Sequence, residues 1–248
     1  MQEPNVNQNE GAKLVRGALE YFVAGVPPFS YFKLEVSHLT VLVKSSRKDK
    51  FSRLNATAEV ALIGLAAYFE AFCKAQFAGL VNICPRILEN FVERRKNSTV
   101  SLRHILVMLT KVRGKLGNVI SEEQDFGSAK EINGLYQDLL RITPFSANET
   151  KDYARFLNDR NLLVHHGGVY TLRYSAQRFV RQSVSGLAHW DSLVVGKKEF
   201  ARWRAFIIAI AKKIAKTSCD ALNKFIGRAR IRLTAKQKQA VEMLTRGV

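Results

Sequence analysis

The sequence predicts an all-α fold, a helical bundle with one small extended or β-hairpin element around residues 170–196. Three observations carry this expectation. Nearly every apolar pattern along the 248 residues repeats with the helical period rather than by strict alternation. Residues 55–82, NATAEVALIGLAAYFEAFCKAQFAGLVN, are apolar almost all round, the mark of a central helix covered on most sides. Hydroxyl side chains stand where helices need N-caps: Thr99 or Ser101, Ser128, and Ser146 with Glu149 three residues on, the last a capping-box pattern.

Taken in order, residues 1–26 read as a polar N-terminal segment, partly disordered, without the basic-then-apolar pattern of a secretory signal. Pro27 and Pro28 punctuate the start of a first helix, FSYFKLEVSHLTVLVKSS over 29–46. After the central helix, Pro85 occupies a first helical position for PRILENFVERRK. Further helices are expected over 100–116, 129–142 and 146–165. Residues 173–196 lose the helical spacing and read as a loop holding a short hairpin or extended pieces. A long last helix over 198–226 completes a domain spanning 27–228. The tail, 229–248, reads as a basic amphipathic helix. Its stretch LTAKQKQAVEMLTRG resembles the opening helix of a helix-turn-helix, yet the turn and recognition helix do not follow.

Charge is the strongest compositional signal. Lys and Arg number 39 against 21 Asp and Glu, a net charge of +18 and a pI near 10.1. That excess points to a polyanionic partner. It is concentrated in residues 197–248, where 14 basic residues face only Glu199, Asp220 and Glu242. Lys212, Lys213, Arg228, Arg230 and Arg232 are the candidate RNA-binding residues, because neutralising phosphates releases their counterions. Cys73, Cys84 and Cys219 lie far apart in apolar helical contexts, as reduced core thiols do. His38, His104 and His189 show no ligand spacing, so no metal site is expected. No apolar run reads as long enough for a membrane span, and the chain is expected to be cytoplasmic with no membrane partner.

One stretch concentrates chemistry. LNDRNLLVHHGG, 157–168, places an arginine, an asparagine and two histidines at the end of a helix that Gly167 is suited to close. On a helical wheel Tyr153, Phe156, Leu157 and Val164 form one stripe with Arg160 in its middle. A guanidinium there must find a carboxylate, such as Glu70 of the apolar helix, or a phosphate, or a wet seam. Asn161 and His165, four residues apart, are neighbours on an adjacent face, where the amide can orient the imidazole. His165 and His166 lie at the fraying end of the helix, able to turn toward Arg160.

RNLLVHHGG resembles the Arg-x4-6-His motif of the HEPN superfamily, in which a polar residue commonly follows the arginine. The upstream AYFEAF helix, the glycines after the histidines, the extended stretch and the long last helix are similar in arrangement. The resemblance implies an all-helical bundle that homodimerises with its motif helices facing each other. It further implies a metal-independent endoribonuclease without cofactor, in some cases a toxin with an antitoxin partner or an antiviral effector. Other members are catalytically silent dimerisation or nucleotide-binding modules. Carried over, the catalytic residues are Arg160, Asn161 and His165, with His166 as the alternative register. Histidine, titrating near neutrality, would move the proton of a ribose 2′-hydroxyl while Arg160 holds the phosphate.

Overall fold

The computed structural model describes residues 6–46, 55–95, 112–179 and 192–248, and among these the only extended regular structure is helix. Helices α1 (Val6–Leu19), α2 (Pro28–Ser45), α3 (Ala56–Ile83) and α4 (Leu88–Arg94) come first. After them run α5 (Val112–Glu122), α6 (Ala129–Leu140), α7 (Ala147–His166), α8 (Leu172–Phe179), α9 (Lys197–Arg228) and α10 (Ala235–Leu244). The chain forms two compact units, and α2, α3 and α9 each contribute residues to both.

The first unit comprises residues 1–33, 70–145 and 210–248. Its core is aromatic. Phe77 meets Phe91, Phe126 and Tyr136 edge-on at centroid distances of 5.8, 5.7 and 6.2 Å, the geometry that ring quadrupoles prefer. Buried polar groups are tied down here. Asn82 Nδ2 donates to the Tyr21 carbonyl (2.9 Å) and to Asn118 Oδ1 (2.8 Å), while its Oδ1 accepts from the Gly117 N–H (2.8 Å). Gly117 allows the approach: a Cβ at this position would lie 2.1 Å from the Ala78 carbonyl oxygen. α1 packs on α10, and α10 buries Ala240, Val241, Met243 and Leu244 behind a capping box of Thr234 and Gln237.

The second unit comprises residues 34–69 and 146–209. An aromatic line joins its helices: Phe69 to Tyr153 (5.4 Å), Tyr153 to Phe156 (5.9 Å) and Phe156 to Trp203 (5.4 Å). Lys197 Nζ donates to the Lys44 carbonyl in the last turn of α2 (2.9 Å) and to the Ser46 carbonyl just beyond it (2.8 Å), a helix C-terminus being a favourable place for a cation. The capping box of Ser146 and Glu149 opens α7 as its sequence pattern predicts, and Ser128 caps α6.

Several expectations are corrected. Residues 172–179, read as part of a loop or hairpin, are helical. Thr171 starts that helix, its Oγ1 accepting from the Tyr174 N–H (3.1 Å), and Tyr174 is the buried anchor that a short helix needs. β structure among the described residues is one isolated bridge, Val169 to Ser192, and residues 180–191 lie outside them. The polar N-terminal segment is helical from Val6 and buries Ala18. Most of the helix expected over 100–116, with Thr99, Ser101 and His104, also lies outside the described residues, as does His189; α5 begins at Val112. Finally, α3 is long and apolar enough to cross a membrane by length and composition, with a window of mean hydropathy 1.4. Its Leu62, Leu65, Phe69, Phe77 and Leu80 are instead fully buried within the protein.

Candidate functional site

The candidate site lies at the C-terminal end of α7, in the second unit. Gly167, with φ 57°, takes the left-handed conformation that closes a helix, and the Gly168 N–H reaches back to the Leu162 carbonyl (3.1 Å). Gly168 (φ 83°) then accepts from the Leu193 N–H (2.8 Å), which fixes the chain leaving the helix. α7 therefore stays helical through His166. Both histidines thus keep their positions on the helical wheel. At about 100° per residue, His165 lies roughly 40° from Asn161 but about 140° from Arg160.

The buried stripe of α7 also differs from the predicted one. Tyr153, Phe156, Asp159, Leu162 and Leu163 are buried, whereas Val164 is 47% exposed. The buried face is rotated toward Asp159, and Tyr174 satisfies that carboxylate: the phenol donates to Asp159 Oδ1 at 2.7 Å. Both groups are buried. This bond pins the start of α8 against α7, and sequence patterning missed it because the two residues belong to different helices.

The structure brings Asn161, His165 and His166 together. They line an open groove of about 260 Å³ with Asn158, Leu162, Thr171, Arg173 and Tyr174. Arg173 was not nominated from the sequence; only the unexpected helix α8 sets its exposed guanidinium in the groove. Arg160 is not among the lining residues. Its side chain is half-buried, its Nε is buried without a hydrogen-bond partner, and among the described residues no carboxylate pairs with it. Arg204 shares this feature at Nε, although its Nη1 donates to Thr40 Oγ1 (3.0 Å).

Glu70, the carboxylate nominated to pair with Arg160, belongs to the first unit. The basic candidates lie there too. Lys212, Arg228, Arg230 and Arg232 are exposed and Lys213 is half-exposed. With Lys216 and Lys224, also exposed, Lys212 and Arg228 follow an i, i+4 spacing along α9 that only Asp220 interrupts. The three cysteines are buried free thiols; burial pushes Cys73 well above its ordinary range and Cys219 up to about 11. Among the described residues, no three His, Cys, Asp or Glu side chains are grouped as metal ligands.

Chemically, the groove offers an imidazole, an amide able to orient it and a planar cation on one open surface. Those are the parts of a general acid–base site acting on a phosphodiester. Compared with known protein families, curated proteins and solved structures, the chain matches none.

Proposed function

We propose that this protein is a metal-independent endoribonuclease of the HEPN type. One observation carries the reading: Asn161, His165 and His166 share an open groove with a cation, while the neighbouring Arg160 holds a buried Nε that has no partner among the described residues. A buried Nε left without a partner is costly, and a phosphate oxygen is a natural complement to a guanidinium. In the reaction, His165 takes the proton from a ribose 2′-hydroxyl as that oxygen attacks the adjacent phosphorus. The P–O5′ bond breaks, the departing oxygen is protonated, and guanidinium groups stabilise the charge on the non-bridging oxygens. The products are a 2′,3′-cyclic phosphate and a 5′-hydroxyl end.

The 140° between Arg160 and His165 bears on how the site is assembled. A homodimer pairing two copies of α7 is the arrangement that lets Arg160 of one chain serve the His165 groove of the other. Val164 and Leu172, 47% and 74% exposed beside the motif, supply apolar surface for such a seam. The same separation favours the second reading, a silent HEPN-like module in which Arg160 and His165 never meet at one phosphate. Antitoxin pairing and a defence role belong to the resemblance alone.

Incubation of the purified protein with RNA in EDTA tests the proposal. The expected result is fragments with cyclic phosphate and 5′-hydroxyl ends, and intact DNA. RNA left whole by a folded dimer favours the silent module.

A further inference from the structure

Beside the histidine groove, the second unit holds a larger cleft of about 400 Å³, of a size that takes a small organic ligand. The two are neighbours, with Asn158 and Tyr174 lining both. From Asn158 to His165 along α7 is about 10 Å at 1.5 Å per residue, short enough for neighbouring nucleotides of one strand. The walls of the cleft differ from those of the groove. Trp203 and Phe206 on α9 form an edge-to-face pair with centroids 6.0 Å apart, and the exposed Arg202 guanidinium lies over the Trp203 ring at 4.8 Å. At the opposite rim Arg155 pairs with Asp152 at 3.3 Å, with the side chains 72% and 47% exposed. So exposed a pair contributes little to stability, and Arg155 can exchange its carboxylate for a phosphate at small cost.

We infer that this cleft is a nucleobase subsite: a base enters beside Arg202 and Phe206 while its phosphate is held at Arg155 and the next phosphate reaches the His165 groove. Aromatic faces and guanidinium planes are the surfaces on which unstacked bases stack, and Arg155 on the rim is placed for the backbone. A plain structural role accounts for Phe156 and Trp203, which are buried. It does not account for two arginines of opposite rims flanking an open aromatic cleft. The link to cleavage rests on the nuclease reading, but base binding does not.

The test reads binding directly. In a Trp190→Phe background Trp203 is the remaining tryptophan of the two, and its fluorescence reports the cleft. A short 2′-O-methyl oligonucleotide, which cannot be cut by 2′-hydroxyl attack, is expected to change that signal on binding. The same strand with one abasic residue is expected to bind roughly 5- to 150-fold more weakly. Arg202→Ala and Phe206→Ala, each checked for an unchanged melting temperature, should weaken the complete strand by a similar factor and leave the abasic strand unaffected. Equal binding of complete and abasic strands overturns the inference. So does a loss in the two variants that is the same for both strands. A free nucleoside monophosphate that binds as tightly as the oligonucleotide overturns the placement of an RNA base here and assigns the cleft to a mononucleotide. A protein that meets every binding expectation yet leaves the ribose strand whole in EDTA sinks the nuclease reading and keeps the subsite.

Discussion

The two compact units differ in how many of their polar groups stay open to a ligand. In the first, Asn82 spends its amide on three hydrogen bonds, and Arg95 Nε is bound to Asp138 at 2.7 Å and its Nη1 to Gln124 at 3.2 Å. Gln76 Oε1 is the exception there, although its Nε2 reaches Ser218 Oγ at 3.1 Å. In the second, Arg160 and Arg204 each keep a buried Nε without a partner among the described residues, and Asn161, His165, His166 and Arg173 face an open groove. Satisfied networks rigidify a fold, whereas unsatisfied donors beside an open surface are where ligand chemistry takes place. The contrast separates buried polar side chains of the first unit, which are tied into the fold, from those at the end of α7, which are left open to solvent.

If the contrast is right, the largest effect belongs to the groove. His165→Ala should lower cleavage of RNA by roughly 10²- to 10⁴-fold with the melting temperature unchanged. His166→Ala, the alternative register, should cost far less. A folded His165→Ala/His166→Ala protein cutting at the wild-type rate would falsify the catalytic assignment.

In the first unit the effect should appear in stability instead. Gly117→Ala drives a Cβ onto the Ala78 backbone, which cannot yield as a side chain tip can. A loss of about 3 kcal/mol or more is expected, seen as a melting temperature lower by roughly 6–12 °C. An unchanged thermal transition would show that the α3 to α5 approach tolerates a methyl group.

Arg160 sharpens the comparison because its two readings predict opposite signs. With no carboxylate to strand, Arg160→Met should leave the melting temperature unchanged or raise it by the equivalent of about 1 kcal/mol, while cleavage is lost. Arg160→Lys keeps the charge without the fork and should lose most activity too. Destabilisation by several kcal/mol in Arg160→Met would mean that the guanidinium is structural.

The smallest expected effect is on the basic face of α9. Replacing Lys212, Lys213 and Arg228 with alanine should reduce the magnitude of the salt slope of RNA binding by about 2 to 3, leaving the cleaved ends unchanged. An unaltered slope places the electrostatic footprint elsewhere.

Much of this molecule follows from local rules, which need only near neighbours in the chain. The helical period, the capping box of Ser146 and Glu149, the Ser128 cap and the left-handed Gly167 were all legible, because each is an interaction within a few residues. The spacing of Asn161 and His165 likewise set them on one face before any packing was known. Tertiary structure decided the rest. That the buried face of α7 includes Asp159 depended on a phenol 15 residues away, which supplies the hydrogen bond a buried carboxylate needs. Residues 172–179 became a helix because Tyr174 had a place to anchor, which propensity over eight residues does not supply. With that helix came Arg173 in the groove, and the cleft at Arg202 and Phe206 formed because α7 and α9 packed through Phe156 and Trp203. The sequence by itself determined which groups α7 carries and in what order around its axis. Only packing decided which of them are sealed and which stay open to a ligand, since burial depends on the surfaces of other helices.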